Sequence, residues 1–182
     1  MFYPELIVKT TSLISGQKKT LKGRISLKSI DVPLGNIPVV SNPVYDMQLI
    51  VVDDEVLVKG KVHTSLEYPC VRCLETVSME IDGVIEAHYI SEEKTNLKSE
   101  EEMDSFENVI YYGGSEIDLY DRIIEAIAVE VPEYVVCTPH CKGLCPYCGA
   151  NLNEEPDHEC AESKKAETNS VFDVLKDLKD NL

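Results

Sequence analysis

Two stretches in the middle of the chain alternate apolar and polar residues with a period of two. Residues 55–68, EVLVKGKVHTSLEY, put Val56, Val58, Val62, Leu66 and Tyr68 on one parity. Residues 75–89 do the same with Val77, Met79, Ile81, Ile85, Ala87 and Tyr89. Period two marks strands buried on one side only. Paired antiparallel across Cys70-Val71-Arg72-Cys73, the two runs set Leu66 against Val77, Val62 against Ile81, Gly60 against Gly83 and Val56 against Ala87 on the inner face. The outer face then offers Lys61 to Asp82 and His63 to Glu80, so apolar meets apolar and opposite charges meet. Facing glycines suit a place where a sheet bends or another element comes close. A second hairpin through Asp53-Asp54 sets Val51, Leu49 and Met47 opposite Val56, Val58 and Gly60, which makes the core a meander.

Further on the period becomes helical. In IDLYDRIIEAIAVEVP, Asp118 caps a helix over 118–130 whose Leu119, Ile123, Ile124, Ile127 and Ala128 form one apolar stripe, and Pro132 ends it after Val131. A shorter amphipathic stretch closes the chain: Ser170 and Asp173 resemble a capping box, and Val171, Val174, Leu175, Leu178 and Leu182 share a face. The pattern predicts an α+β fold, an antiparallel β-meander (sheet or partly closed barrel) with C-terminal helices and a cysteine-rich zinc-binding loop. Its expected parts are a β-rich domain at 1–112 with an acidic loop at 91–108, a packing helix at 113–136, a cysteine-rich metal-binding loop at 137–162, and a linker with the terminal helix at 163–182.

Charge divides the chain unevenly. The formal net charge is −16, yet residues 1–74 hold nine Lys/Arg against seven Asp/Glu, so the acidity belongs to the later part. Residues 91–108, SEEKTNLKSEEEMDSFEN, carry seven acids and no apolar repeat and read as a solvated loop. Residues 6–30 are the reverse, with Lys9, Lys18, Lys19, Lys22, Arg24 and Lys28 and no acid. The start, MFYPELIVKTT, lacks the pattern of a signal peptide, and no apolar run approaches the ~20 residues of a membrane span. The expectation is an acidic, cytoplasmic protein with reduced thiols.

Cysteine chemistry then narrows the picture. Cys137 to Cys160, CTPHCKGLCPYCGANLNEEPDHEC, holds five cysteines and two histidines in 24 residues, and the remaining two cysteines are Cys70 and Cys73. Seven thiols cannot all pair, and a cytosolic disulfide framework is improbable. Cys145-Pro146-Tyr147-Cys148-Gly149 has the spacing and turn residues of a metal knuckle, in which both sulfurs reach one ion. Two further ligands are needed. Cys141 and Cys160 are the first choice, with Cys137, His140 and His158 as substitutes, and zinc is favoured over iron because two matched knuckles are not evident. Small buried residues are a poor alternative, because the neighbours are Lys, Gly, Asn, Glu and Asp. The Cys70/Cys73 pair reads equally well as a second knuckle or as a turn ordered by its own packing, and less well as a redox pair, since no βαβ pattern surrounds it. His63 and His88 fall on the polar face of the hairpin as solvated residues. Motifs of nucleophile elbows, metalloproteases and nucleotide binding are missing from the sequence, so no catalytic residue is expected.

CVRCLE at the end of one strand, an acidic insert, IDLYDRIIEAIAVEVP, CKGLCPYCGANLNEE and a terminal FDVLKDLK, in that order, resemble the bacterial YceD family over roughly residues 20–182. CKGLCPYCGANLN is the most specific part. The resemblance implies a non-enzymatic factor in ribosome biogenesis that supports accumulation or processing of large-subunit rRNA. Members of that family differ in the C-terminal cysteines, and some lack them while keeping the C-x-R-C pair. That implies a stabilising metal site and a shared function tied to the sheet, Cys70, Arg72, Cys73 and the 118–130 helix.

The partners so implied are the large-subunit rRNA precursor or a ribosomal protein, with no membrane and no small-molecule substrate. Affinity for nucleic acid rests largely on Lys and Arg, so an acidic chain needs a local contact. Lys18, Lys19, Lys22, Arg24 and Lys28 are the candidates. A zinc-stabilised protein–protein adaptor acting outside ribosome assembly, for instance in transcription, is the second reading, and a thiol oxidoreductase the third. Salt-dependent RNA pull-down separates the first two, and thiol pKa with a reductase assay tests the third.

Overall fold

The computed structural model describes residues 3–33, 35–52, 55–92 and 108–161. The elements are β1 (Ile7–Lys9), β2 (Lys18–Arg24), β3 (Ser29–Val32), β4 (Gly35–Val52), β5 (Glu55–Pro69), β6 (Thr76–Ser91), β7 (Val109–Tyr112), β8 (Glu116–Asp118) and α1 (Tyr120–Glu130), with short 3-10 turns at Pro4–Leu6 and Thr10–Ser12. Two compact units form. One comprises the chain up to Tyr68 together with Ser78–Glu133, and the other comprises Pro69–Val77 with the described residues from Tyr134 onward. The boundary differs from the linear division expected from sequence, because the turn between β5 and β6 joins the cysteine-rich segment.

The main sheet runs β2-β4-β5-β6-β7, with β3 also paired to β4, and a separate ribbon pairs β1 with β8. Among the described residues the sheet stays open, ending in β2 and β7, so the barrel option is set aside. The β4–β5 register is the expected one: Val51 faces Val56, Leu49 faces Val58 and Met47 faces Gly60. Strand β4 is long, and bulges between Val39 and Val44 bend it. At the bend Ser41 accepts the Thr64 hydroxyl on its carbonyl at 2.6 Å and the Ser65 N–H on its hydroxyl at 2.8 Å, which satisfies a fully buried Thr64.

Period two holds in burial as well. Val56, Val58, Val62, Leu66, Ile81, Ile85 and Ala87 are buried, while Lys59, Lys61, His63, Glu80, Asp82 and Glu86 are exposed. His63 meets Glu80 at 3.2 Å as expected, but Asp82 pairs with His63 at 2.8 Å instead of with Lys61. Asp82's hydrogen bond raises the His63 pKa above its ordinary value. His88 corrects the solvated assignment. It is buried and lies 2.7 Å from a carboxylate oxygen of Glu55. The reason is β7, which pairs parallel to β6 from His88 onward and covers that end of the strand. A parallel partner was not foreseen by the meander.

Asp118 accepts the Tyr120 N–H at 2.8 Å at the start of α1, and the helix ends at Glu130, ahead of Val131 and Pro132. Its buried residues are Ile123, Ala126 and Ile127, with Ile124 and Ala128 half-buried, so the packed face is turned toward Ala126 relative to the expected stripe. Gly83 explains the turn. A Cβ there would stand 2.4 Å from the Ala126 carbonyl oxygen, so the helix backbone lies directly on the glycine. Gly60 serves the other purpose, since its Cβ would meet Met47 of the adjacent strand at 2.5 Å. No described helix is long and apolar enough to cross a membrane. Most of the acidic loop and the whole expected terminal helix, from Ser170 to Leu182, lie outside the described residues.

Candidate metal centres

Two tight turns of the same construction stand in the second unit. In one, the Cys70 N–H donates to Glu75 O at 2.7 Å and the Leu74 N–H to Cys70 O at 2.9 Å. In the other, the Cys145 N–H donates to Ala150 O at 2.8 Å and the Gly149 N–H to Cys145 O at 2.9 Å. The fifth residue of each is left-handed, Leu74 with φ 63° and Gly149 with φ 76°. The C-x-R-C pair is therefore a knuckle matched to the C-P-Y-C one, although Leu74 disguises it where a glycine would advertise it.

Each knuckle gathers a different pair of partners. Cys70, Cys73, Cys137 and Cys141 bring their sulfurs within 4.8 Å of one another, and Cys145, Cys148, His158 and Cys160 do the same with three sulfurs and an imidazole nitrogen. The expected set of Cys141, Cys145, Cys148 and Cys160 is thus divided: Cys141 joins the first group and His158 stands in its place in the second. Cys137 lies in the first group, and His140 belongs to neither. All seven cysteines are absorbed, and the odd count is resolved by one histidine.

Bonds around Cys141 decide its side. Arg72 Nη1 donates to the Cys141 carbonyl at 3.1 Å, the Leu144 N–H donates to Arg72 O at 3.0 Å, and the Val71 N–H to Val135 O at 2.9 Å. Gly143, with φ 76°, permits this approach, since a Cβ there would sit 3.1 Å from Arg72 O. Asn153 holds the Lys142 N–H on its side-chain oxygen at 2.8 Å and donates its amide to Cys141 Sγ at 3.3 Å. Asn151 donates to Glu75 at 2.8 Å and so ties the second knuckle to the first. Asn151 and Asn153 were not singled out from sequence, and their only signal was their place in the motif GANLN.

The donors fit a tetrahedral ion. With a Zn–S bond of about 2.3 Å, sulfurs at two corners stand about 3.8 Å apart. Cys70 and Cys141 are 3.8 Å apart and Cys73 and Cys137 3.5 Å, too far for disulfides. Burial alone would raise the Cys70 thiol, but the N–H groups of Cys73, Cys137 and Arg72 outweigh it and bring Cys70 down to about 6. The N–H groups of Cys148 and Tyr147 bring Cys145 to about 6 likewise. Asn153's bond holds Cys141 below the ordinary thiol value. At Cys73 the Glu75 N–H favours the thiolate, yet burial and the neighbouring thiols push it up to about 12. Each group thus holds thiolate beside protons that a cation would displace.

The basic residues distribute by strand parity. Lys18, Lys22 and Arg24 alternate on β2 opposite Ile50, Asp46 and Val44, whereas Lys19 has the other parity, opposite Leu49. Lys28 is exposed between β2 and β3.

Fold and site together define an open, mostly antiparallel β-sheet protein that carries a two-knuckle module with eight potential metal donors. The chain belongs to the family described as "Large ribosomal RNA subunit accumulation protein YceD", whose model matches residues 58–179. The match leaves β1 to β4 outside it, a narrower span than the resemblance suggested. Among curated proteins, an uncharacterized protein of Mycobacterium tuberculosis is 34% identical over 113 residues, 62% of this chain and 53% of its own. One from Mycobacterium leprae is 32% identical over 113 residues, 62% of this chain and 50% of its own. The chain spans about half the length of these relatives. A protein of Zea mays named large ribosomal RNA subunit accumulation protein YCED homolog 1, chloroplastic, is 47% identical over 45 residues, 25% of this chain and 15% of its own. No solved structure matches the chain.

Proposed function

We propose that this protein is a non-catalytic, zinc-stabilised factor in ribosome biogenesis that supports accumulation of large-subunit rRNA by binding its precursor or a ribosomal protein. The observation that carries the reading is the extent of the family match, which takes in the β5–β6 hairpin, α1 and all eight donors. Zinc suits a set of four sulfurs and a set of three sulfurs with one imidazole. Its chemistry there would be cross-linking, joining chain segments that lie far apart in the sequence. Arg72, Asn151 and Asn153 orient the donors. Full burial of Cys70 favours a structural over a redox role, because reactive thiols need access to solvent.

Depletion in cells tests the reading. Large-subunit rRNA should fall relative to small-subunit rRNA while transcription from their shared promoter holds, since a factor that protects or assembles a precursor acts after synthesis. An unchanged ratio overturns it.

A further inference from the structure

We infer that the outer face of β2, β4 and β5 is a track for the sugar-phosphate backbone of RNA, a reading that rests on the proposed role and names its contact surface. Strand register places four rows of side chains across this face: Arg24, Val44 and His63; Lys22, Asp46 and Lys61; Thr20, Gln48 and Lys59; Lys18, Ile50 and Leu57. The neighbours of opposite parity, Tyr45, Met47, Leu49, Val58 and Val62, are buried in the core. Within these rows five cations face a single acid. Lys59 and Lys61 come from a stretch that shows no basic run in the sequence; only pairing through β4 brings them beside the β2 cations.

The spacing suits an extended polyanion. Alternate residues of a strand stand about 6.8 Å apart, so the rows extend over roughly 20 Å, and β2 lies about 10 Å from β5. Asp46 is engaged with Lys22 at 2.6 Å, but the two side chains are 54% and 67% exposed, and such pairs are weak enough for a phosphate to replace. Beyond β5 the polarity reverses, since β6 carries Glu80, Asp82 and Glu86, with Glu86 3.8 Å from Lys59. This acidic border repels phosphate and gives the track an edge. The rows hold no Phe, Tyr or Trp on which successive bases could stack, so the face recognises backbone charge and not sequence.

The test uses the full purified chain as isolated, with two labelled probes, a large-subunit rRNA fragment and polyuridine, titrated across a range of salt. With five phosphate contacts the log–log slope should be about 3.5 to 4.5, each contact contributing about 0.7 to 0.9. The double variant Lys59→Gln with Lys61→Gln should lower that slope by about 1.4 to 1.8 for both probes. A control pair off the face, Lys9→Gln with Lys19→Gln, should keep the parental slope. All four side chains are exposed, and a circular dichroism melt verifies the fold of each variant. A parental slope in the Lys59/Lys61 variant, or an equal loss in the control pair, overturns the track. So does failure of the parent to bind either probe at low salt. If depletion still lowers the rRNA ratio in that last case, the ribosomal reading stands and its contact is a ribosomal protein.

Discussion

Replacing Cys148 by serine should halve the metal content of the protein from two ions per chain to one. The magnitude follows from the division of donors: four sulfurs in one group, three sulfurs and His158 in the other, and no ligand in common. A serine at 148 leaves three donors around the second ion and none missing around the first. Accessibility adds an order of events. Cys148 is exposed, while Cys70, Cys73 and Cys141 are nearly inaccessible, so a competing chelator should draw off the second ion first and the first only slowly. Asn153→Ala acts on the other group. It removes the donor 3.3 Å from Cys141 Sγ, and loss of such an outer-shell partner costs about 10- to 100-fold in affinity. Elemental analysis of protein purified under reducing conditions gives the count, and timed chelator competition gives the order. The two-centre reasoning is refuted if the parent carries one ion and Cys148→Ser carries none, because that result requires a single centre containing Cys148. A parent without metal refutes it as well.

Two predictions concern the frame. Gly83→Ala should destabilise the fold by about 1–3 kcal/mol in urea unfolding, because the new methyl lies 2.4 Å from the Ala126 carbonyl and 2.9 Å from Val62 and forces the helix off the sheet; the exposed control Val84→Ala should stay within about 0.5 kcal/mol, and equal midpoints for the two would sink the close-contact argument. Leu74→Gly should be neutral or stabilise by up to about 1 kcal/mol in a thermal melt, since it relieves a left-handed leucine at φ 63° that is 64% exposed, against the flexibility a glycine adds to the unfolded chain; a loss above about 1 kcal/mol would mean that the leucine side chain holds contacts of its own.

The β5 and β6 parities and the β4–β5 register were legible because each strand is long, half-buried and joined by a short turn, so one slip would expose the whole apolar set. Strands of three or four residues left no such signal. β1 and β8 pair across more than a hundred residues, and β7 pairs parallel with β6 after the acidic segment, so neither pattern nor turn announces them. The C-P-Y-C knuckle was legible from spacing and from its proline and glycine. The C-x-R-C knuckle was half legible, its left-handed position being filled by Leu74. Cys141 went astray for a reason of distance along the chain. It lies four residues from Cys137 and four from Cys145, and only the bonds from Arg72 and Asn153, made in the folded state, settle which neighbour it joins. By sequence His158 is only a substitute ligand, because spacing does not reveal which side chain reaches the fourth corner.

The unequal reach of the two donor groups sets how long the first donors of each wait for their partners on the ribosome that makes this chain. Cys148 and His158 are ten residues apart, and their group, which runs from Cys145 to Cys160, can close as soon as that short segment emerges. Cys73 and Cys137 are separated by 64 residues and Cys70 and Cys141 by 71, and everything from β6 through α1 lies inside the loop they close. Closing the longer loop costs about 1.6 kcal/mol more in chain entropy. At about 5–20 residues per second, synthesis alone holds Cys70 and Cys73 without their partners for roughly 3 to 13 s. During that interval a nascent chain presents a lone dithiol, open to oxidants and stray metal ions, and the first group becomes a late checkpoint that registers only after the sheet strands and the helix between its halves have been made.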